Sequence, residues 1–166
     1  MHTEWMHADC LADYYHVDVF SEEHWKILEN YFKEYVKRGC NMMLTPLFTS
    51  PLDTAVGLER TTTQLIKVEV VKGEYRFEFS ELKRWIDLCK KCGIEYYEMS
   101  HLFSQWGAKY APKVVAEVDG KEEKIFGWHT QAVGEYTRFL KAFLPQLIEK
   151  LKEWNIDQVT YFHISD

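Results

Sequence analysis

The run SELKRWIDLCKKCGIEYYEM, residues 80–99, changes period halfway along. Leu82, Trp85, Ile86 and Cys89 recur at helical spacing, so its first half reads as an amphipathic helix. Gly93 supplies the stop, since glycine takes the left-handed cap conformation without a Cβ penalty. IEYYEM follows at once as a strand. The same helix–stop–strand junction occurs twice more. In SEEHWKILENYFKEYVKRGCNMMLTPL, residues 21–47, Trp25, Leu28, Phe32, Tyr35 and Val36 form the apolar face. Ser21 caps that helix, Glu22 and Glu23 suit its positive end, Gly39 stops it and a strand follows over 40–47. Residues 134–154 carry Tyr136, Phe139, Leu140, Phe143, Leu147 and Leu151, and Asn155 leads into a strand over 156–164. Pro145 is expected to kink or split this third helix. A further strand is expected over Trp5–Cys10.

The resulting order, βαβαβαβ, predicts an α/β fold with a parallel sheet and right-handed crossovers. Helix-to-strand connections are short and strand-to-helix connections long, as in a (β/α) barrel whose carboxyl-end loops carry function. The expected architecture is a parallel (β/α)4 half of a TIM-type (β/α)8 barrel, a single partial domain over 1–166. Two of the long loops read as β-hairpin excursions. TTQLIKVEVV and EYRFEF flank Lys72-Gly73, and VVAEVDGKEEKIF turns at Asp119-Gly120. Half a barrel leaves open strand edges and an uncovered sheet face. A homodimer covering that face is therefore expected.

Composition narrows the function. In 166 residues the net charge is −6 and the basic residues form no stripe, which argues against a nucleic-acid partner. No run approaches the roughly 18 apolar residues of a membrane span, and MHTEWMHADC does not read as a signal peptide. The four cysteines include one CxxC, Cys89 and Cys92, at a helix end rather than the helix start where a redox thiol is activated. They read as ordinary free thiols, consistent with a reducing compartment.

The polar residues at the expected carboxyl ends are the site candidates. His7 and Asp9 belong to the first strand. Thr45, Asp53, Glu59 and Arg60 lie at or after the second. Glu98, His101, Trp106, Trp128 and His129 lie at or after the third, and His163, Ser165 and Asp166 at the fourth. Trp106 and Trp128 sit in long loops, where an indole offers a flat apolar face to a sugar ring. Asp53 and Arg60 suit sugar hydroxyls or, more simply, a surface ion pair. Asp9 is placed at the pocket floor. Strand parity groups Thr160, Phe162, Ile164 and Asp166 on one side and Tyr161, His163 and Ser165 on the other.

The segments HADCLADYY (7–15), FSEEHWKILENYF (20–32) and GCNMMLTPLFTSPLDTAVGLERTTTQLIKV (39–68) resemble the catalytic-barrel domain of glycoside hydrolase family 123. YFHISD (161–166) is similar to the start of that family's HISDEP-type motif. The resemblance runs nearly the whole chain. It implies a retaining β-N-acetylgalactosaminidase, acting on terminal N-acetyl-β-hexosaminides without a metal or other cofactor. An adjacent Asp-Glu pair carries the chemistry. The Asp, here Asp166, holds the 2-acetamido group, whose oxygen attacks the anomeric carbon, while the Glu protonates the leaving oxygen. The substrate contacts, read from the positions and types of the residues themselves, are His7, Asp9, Asp53, Arg60, His101, Trp106, Trp128 and His129. Because the sequence stops at Asp166, the chain by itself is expected to be hydrolytically inactive. Two other readings stay open: a non-catalytic carbohydrate-binding or assembly module, and a metal-dependent hydrolase using His7, Asp9, His101, His129 and His163.

Overall fold

The computed structural model describes residues 1–52, 54–105 and 107–163. Helix α1 (Ala8–Tyr15) is followed by α2 (Glu22–Lys37) and strand β1 (Met42–Thr45). The hairpin β2 (Lys67–Val71) and β3 (Glu74–Glu78) precedes α3 (Ser80–Cys92) and β4 (Tyr96–Met99). A second hairpin, β5 (Val114–Val118) and β6 (Lys121–Phe126), precedes α4 (Glu135–Glu153), a 3₁₀ turn at Asp157–Val159 and β7 (Thr160–Phe162).

The α/β class holds. Strands β1, β4 and β7 form a parallel sheet in that spatial order, with Leu44 opposite Glu98 and Glu98 opposite Tyr161. Alternation along the strands divides its two faces. Met43, Tyr97 and Met99 enter the helix-side core, while Glu98 takes the other face. Helices α2 and α3 cover the first face through Phe32, Trp85 and Trp25, with Phe32 and Trp85 rings 5.0 Å apart. The capping readings hold at both helices. Ser21 accepts the His24 amide, and Gly93 closes α3 at φ 94°.

The strand expected over Trp5–Cys10 is corrected. Ala8, Leu11 and Ala12 are buried at helical spacing, and the segment from Ala8 is α1. The i, i+3, i+4 pattern outweighed the assumption that a strand must open the alternation. The backbone before α1 still borders the sheet, since the His2 carbonyl accepts the amides of Asn41 and Met42 at 3.0 and 3.1 Å. The last strand is also shorter than expected, because residues 157–159 wind into the 3₁₀ turn. Pro145 lies inside α4 without splitting it. It is exposed, as is Lys141, whose carbonyl it cannot serve, so water can replace the missing bond.

Both hairpins form at the expected turns. Lys72 and Gly73 have φ of 53° and 79°, and Asp119 and Gly120 have 48° and 80°. Positive φ at both central residues is the signature of the tight turn that matches strand twist. The excursions then do something their separate sequences do not announce. Strand β2 pairs in parallel with β5, joining them into one four-stranded sheet, β3-β2-β5-β6. Its inner face packs on α4. Phe139 meets Tyr75, Phe77 and Phe126 at 5.1, 5.4 and 5.1 Å between ring centroids. Edge-to-face rings of this kind add about 0.5–1.5 kcal/mol per pair beyond area burial. Gln64 extends the join: its side-chain amide donates to the Val115 carbonyl at 2.8 Å and accepts the Val115 amide at 2.9 Å.

Candidate functional site

The carboxyl ends of β1 and β4 are knitted together before any site residue is placed. The Ser100 amide donates to the Thr45 carbonyl at 2.9 Å, and Ser100 Oγ accepts the Leu47 amide at 3.1 Å. This fixes where the two long loops leave the sheet.

Glu98 lies at the centre of the first cluster. It is 8% exposed, on a strand flanked on both sides. A carboxylate there needs partners to offset its desolvation. One oxygen accepts the Trp5 indole N–H at 3.1 Å and the other lies 3.1 Å from His163 Nδ1. The His163 ring stands 3.6 Å from the buried His101 ring, and Trp5 meets both edge-on at 5.3 and 5.5 Å. Three stretches far apart in sequence, at Trp5, at Glu98 to His101 and at His163, thus meet at the carboxyl edge.

The second cluster is an ion pair. Arg60 Nε and Nη2 donate to the two oxygens of Asp9 at 2.7 and 3.0 Å, and Nη1 donates to the Leu52 carbonyl at 3.2 Å. Burial pulls the Arg60 guanidinium down, but its bonds and attraction to Asp9 outweigh this and hold it above its ordinary value. Sequence reading left Arg60 between sugar contact and surface ion pair; it is an ion pair, with Asp9 as partner and both side chains largely covered. A depression beside it is lined by His7, Leu44, Thr49, Ser50 and Thr63.

The third cluster comes from the loops. The Trp128 indole donates to the Leu58 carbonyl at 2.8 Å and its ring meets Tyr110 at 5.7 Å. Glu59 bonds Lys124 and faces Lys113 at 3.6 Å; the Lys124 bond holds its carboxyl below the usual range. His129 is exposed beside Gly127.

Of the candidate residues, Asp9 and Arg60 are paired, His7 lines the same depression, and His101 belongs to the Glu98 cluster. Trp128 is on the loop wall. Asp53, Trp106 and Asp166 lie outside the described residues. Glu98, His163 and Trp5 were not selected as sugar contacts. The available signal was parity: in a parallel strand buried on both faces, a carboxylate next to the carboxyl end requires partners. Among the described residues no three His, Cys, Asp or Glu side chains gather as a metal site. Asp9, Glu59 and Glu98 each already engage a cation or an imidazole, so these carboxylates position other groups.

The sequence profile described as "Glycoside hydrolase 123, catalytic domain" matches residues 5–166. The chain belongs to glycoside hydrolase family 123. No curated protein sequence matches it. Among solved structures it is similar to a family 123 glycoside hydrolase from Clostridium perfringens, analysed for glycolipid glycan hydrolysis, with a TM-score of 0.71 and 21% identity. The match covers 95% of this chain and 28% of that one, so the chain spans little more than a quarter of the solved family 123 protein. At that identity the likeness establishes a shared fold.

Proposed function

We propose that this family 123 chain forms the first half of a (β/α)8 barrel, within a single domain, that binds terminal N-acetyl-β-galactosaminides at its carboxyl edge. β1, β4 and β7 are three staves, and the backbone bonded to the free edge of β1 at His2 stands in the place of the fourth. Asp166 orients and polarises the 2-acetamido group. The acetamido oxygen attacks the anomeric carbon as the glycosidic bond breaks and an acid protonates the leaving oxygen. Water then opens the cyclic intermediate with retention. His7, Asp53, His101, Trp106, Trp128 and His129 hold the sugar, and the Asp9–Arg60 pair, expected to contact it, braces the loop that leaves β1. The observation that supports this reading is convergence at the carboxyl ends: the Glu98–His163 pair joins β4 to β7, and the Asp9–Arg60 pair ties α1 to the loop that leaves β1. β7 has one strand neighbour among the described residues, and Tyr161 on it is 42% exposed. Pairing with a second copy covers that face, and light scattering at micromolar concentration tests it.

Calorimetric titration with N-acetylgalactosamine and with galactose tests the site. The acetamido sugar is expected to bind at least about tenfold tighter, a difference of about 1.4 kcal/mol, and Asp166→Ala to erase the preference. Equal binding of both sugars, or of neither, overturns it. The engagement of Asp9, Glu59 and Glu98 favours one alternative, a carbohydrate-binding module without chemistry. Release of a chromophore from an N-acetyl-β-galactosaminide, abolished by Asp166→Ala, excludes that alternative.

A further inference from the structure

Among the described residues two carboxylates are buried, Asp9 and Glu98. The Arg60 guanidinium neutralises the first. Among those residues no lysine or arginine pairs with the second. Its oxygens meet an indole N–H and an imidazole nitrogen, each at 3.1 Å. At pH 8, above the ordinary imidazole range, these are hydrogen bonds without a counter-ion. A covered carboxylate is costly to keep charged, and the steps proposed above do not use this one. Its position supplies a role. Glu98 lies opposite Leu44 in the parallel register of β1 and β4, so the two residues share a face of the sheet, about 5 Å apart. Leu44 lines the depression beside Arg60, and so do Met6 and His7, which follow Trp5 in the chain. The Glu98 charge thus lies one strand to the side of that depression, where covering protein screens it less than water would.

We propose that Glu98 makes this depression select for positive charge in the sugar it holds. The inference rests on the function proposed above. As the glycosidic bond breaks, positive charge develops over the anomeric carbon and ring oxygen. It passes to the acetamido group as the acetamido oxygen bonds to that carbon. Glu98 forms no bond in this sequence and transfers no proton; it acts through its field, fixed in place before the charge appears. The Asp9–Arg60 pair, neutral as a whole, does not supply such a field. The ligand class that Glu98 favours is therefore a flat, cationic analogue of N-acetylgalactosamine.

Two ligands of one shape measure this: the cyclic amidine and the lactam of N-acetylgalactosamine. Both are flat at the anomeric carbon, and only the amidine is a cation at pH 8. Calorimetry on the 166-residue chain gives the ratio of their affinities. The amidine is expected to bind tighter, and Glu98→Gln to lower the ratio about fivefold. Glu98→Asp keeps the charge and is expected to keep the ratio, even where its shorter reach lowers the urea midpoint. His163→Lys sets a permanent cation against Glu98 and is expected to lower the ratio as well, so the test stands if one variant fails to fold. Asp119→Asn, on the exposed turn of the second hairpin, controls for net charge and is expected to leave the ratio alone. A ratio that Glu98→Gln and His163→Lys leave unchanged overturns the inference while the sugar site stands. A ratio that falls, in a chain that binds the amidine and lactam of galactose equally well, supports the charge and overturns the acetamido reading. Binding of neither ligand overturns both.

Discussion

Glu98 Oε1 and His163 Nδ1 lie 3.1 Å apart, joining the penultimate residue of β4 to the residue just beyond β7. The pair sets the spacing of the two strand ends. Glu98→Ala leaves the Trp5 indole N–H without its acceptor and removes the His163 contact. The expected cost is about 1–3 kcal/mol, read as a lower urea midpoint with unchanged slope. Glu98→Gln keeps an acceptor for Trp5 and is expected to cost less. Equal midpoints for wild type and Glu98→Ala would show that the pair holds nothing together.

Asp9 and Arg60 tie α1 to the loop between β1 and β2 across 51 residues of sequence. Asp9 is 6% exposed, so removing its cation strands a buried carboxylate. Arg60→Met is expected to destabilise by about 3 kcal/mol, and the double variant with Asp9→Leu by less, since no unpaired charge remains. A double-mutant cycle by urea unfolding measures the difference. Additive losses would mean the two side chains act independently.

The elements whose period is strong were legible in the sequence. Ser80–Cys92 and Glu22–Lys37 match their expected spans to within a residue, because cap, stop and apolar face agree there. The two hairpin turns were legible for the same reason. The union of the hairpins was not: the β2–β5 pairing is parallel and non-local, and no local pattern encodes which edge meets which. The first strand failed because alternation of elements was allowed to override the spacing of Ala8, Leu11 and Ala12. At the site, residue type singles out polar candidates, but partner choice lies in three dimensions. Arg60 took Asp9 rather than a place at the surface, and Glu98 took Trp5 and His163.

Cys89 and Cys92 are free thiols on the last turn of α3, with Cys89 buried and Cys10 exposed. Burial pushes both Cys89 and Cys92 up, and Cys89 well above its ordinary value, so neither is a ready thiolate. Thiol titration of the native chain is expected to label Cys10 first, Cys92 slowly, and Cys40 and Cys89 only in denaturant. Rapid native labelling of Cys89, or its oxidation to a bridge with Cys92 by glutathione disulfide, would restore the redox reading.

His24 is fully buried, and its two bonds assign its tautomer. The Phe20 amide can only donate, so Nδ1 at 2.9 Å is the acceptor and Nε2 carries the proton donated to the Ala8 carbonyl at 3.0 Å. Protonating Nδ1 breaks the Phe20 bond and buries a charge. Burial pulls the imidazole below its ordinary value, and the Ala8 bond and nearby Asp9 only partly oppose this. The unfolded chain therefore takes up this proton near pH 6.5 and the folded chain only at lower pH. The stabilisation is complete above about pH 6.5 and drains away as the pH falls through and below that value. Glu29, held at about 2 by Lys33 and Lys91, acts in a separate window, below its ordinary 4.5. Urea midpoints are expected to fall between about pH 7 and pH 5 in the wild type. His24→Asn preserves an acceptor for Phe20 but cannot titrate. It is expected to start lower, by about 1–3 kcal/mol, and to stay level across that interval. A wild-type midpoint that rises on acidification would reverse the sign and exclude a buried neutral His24.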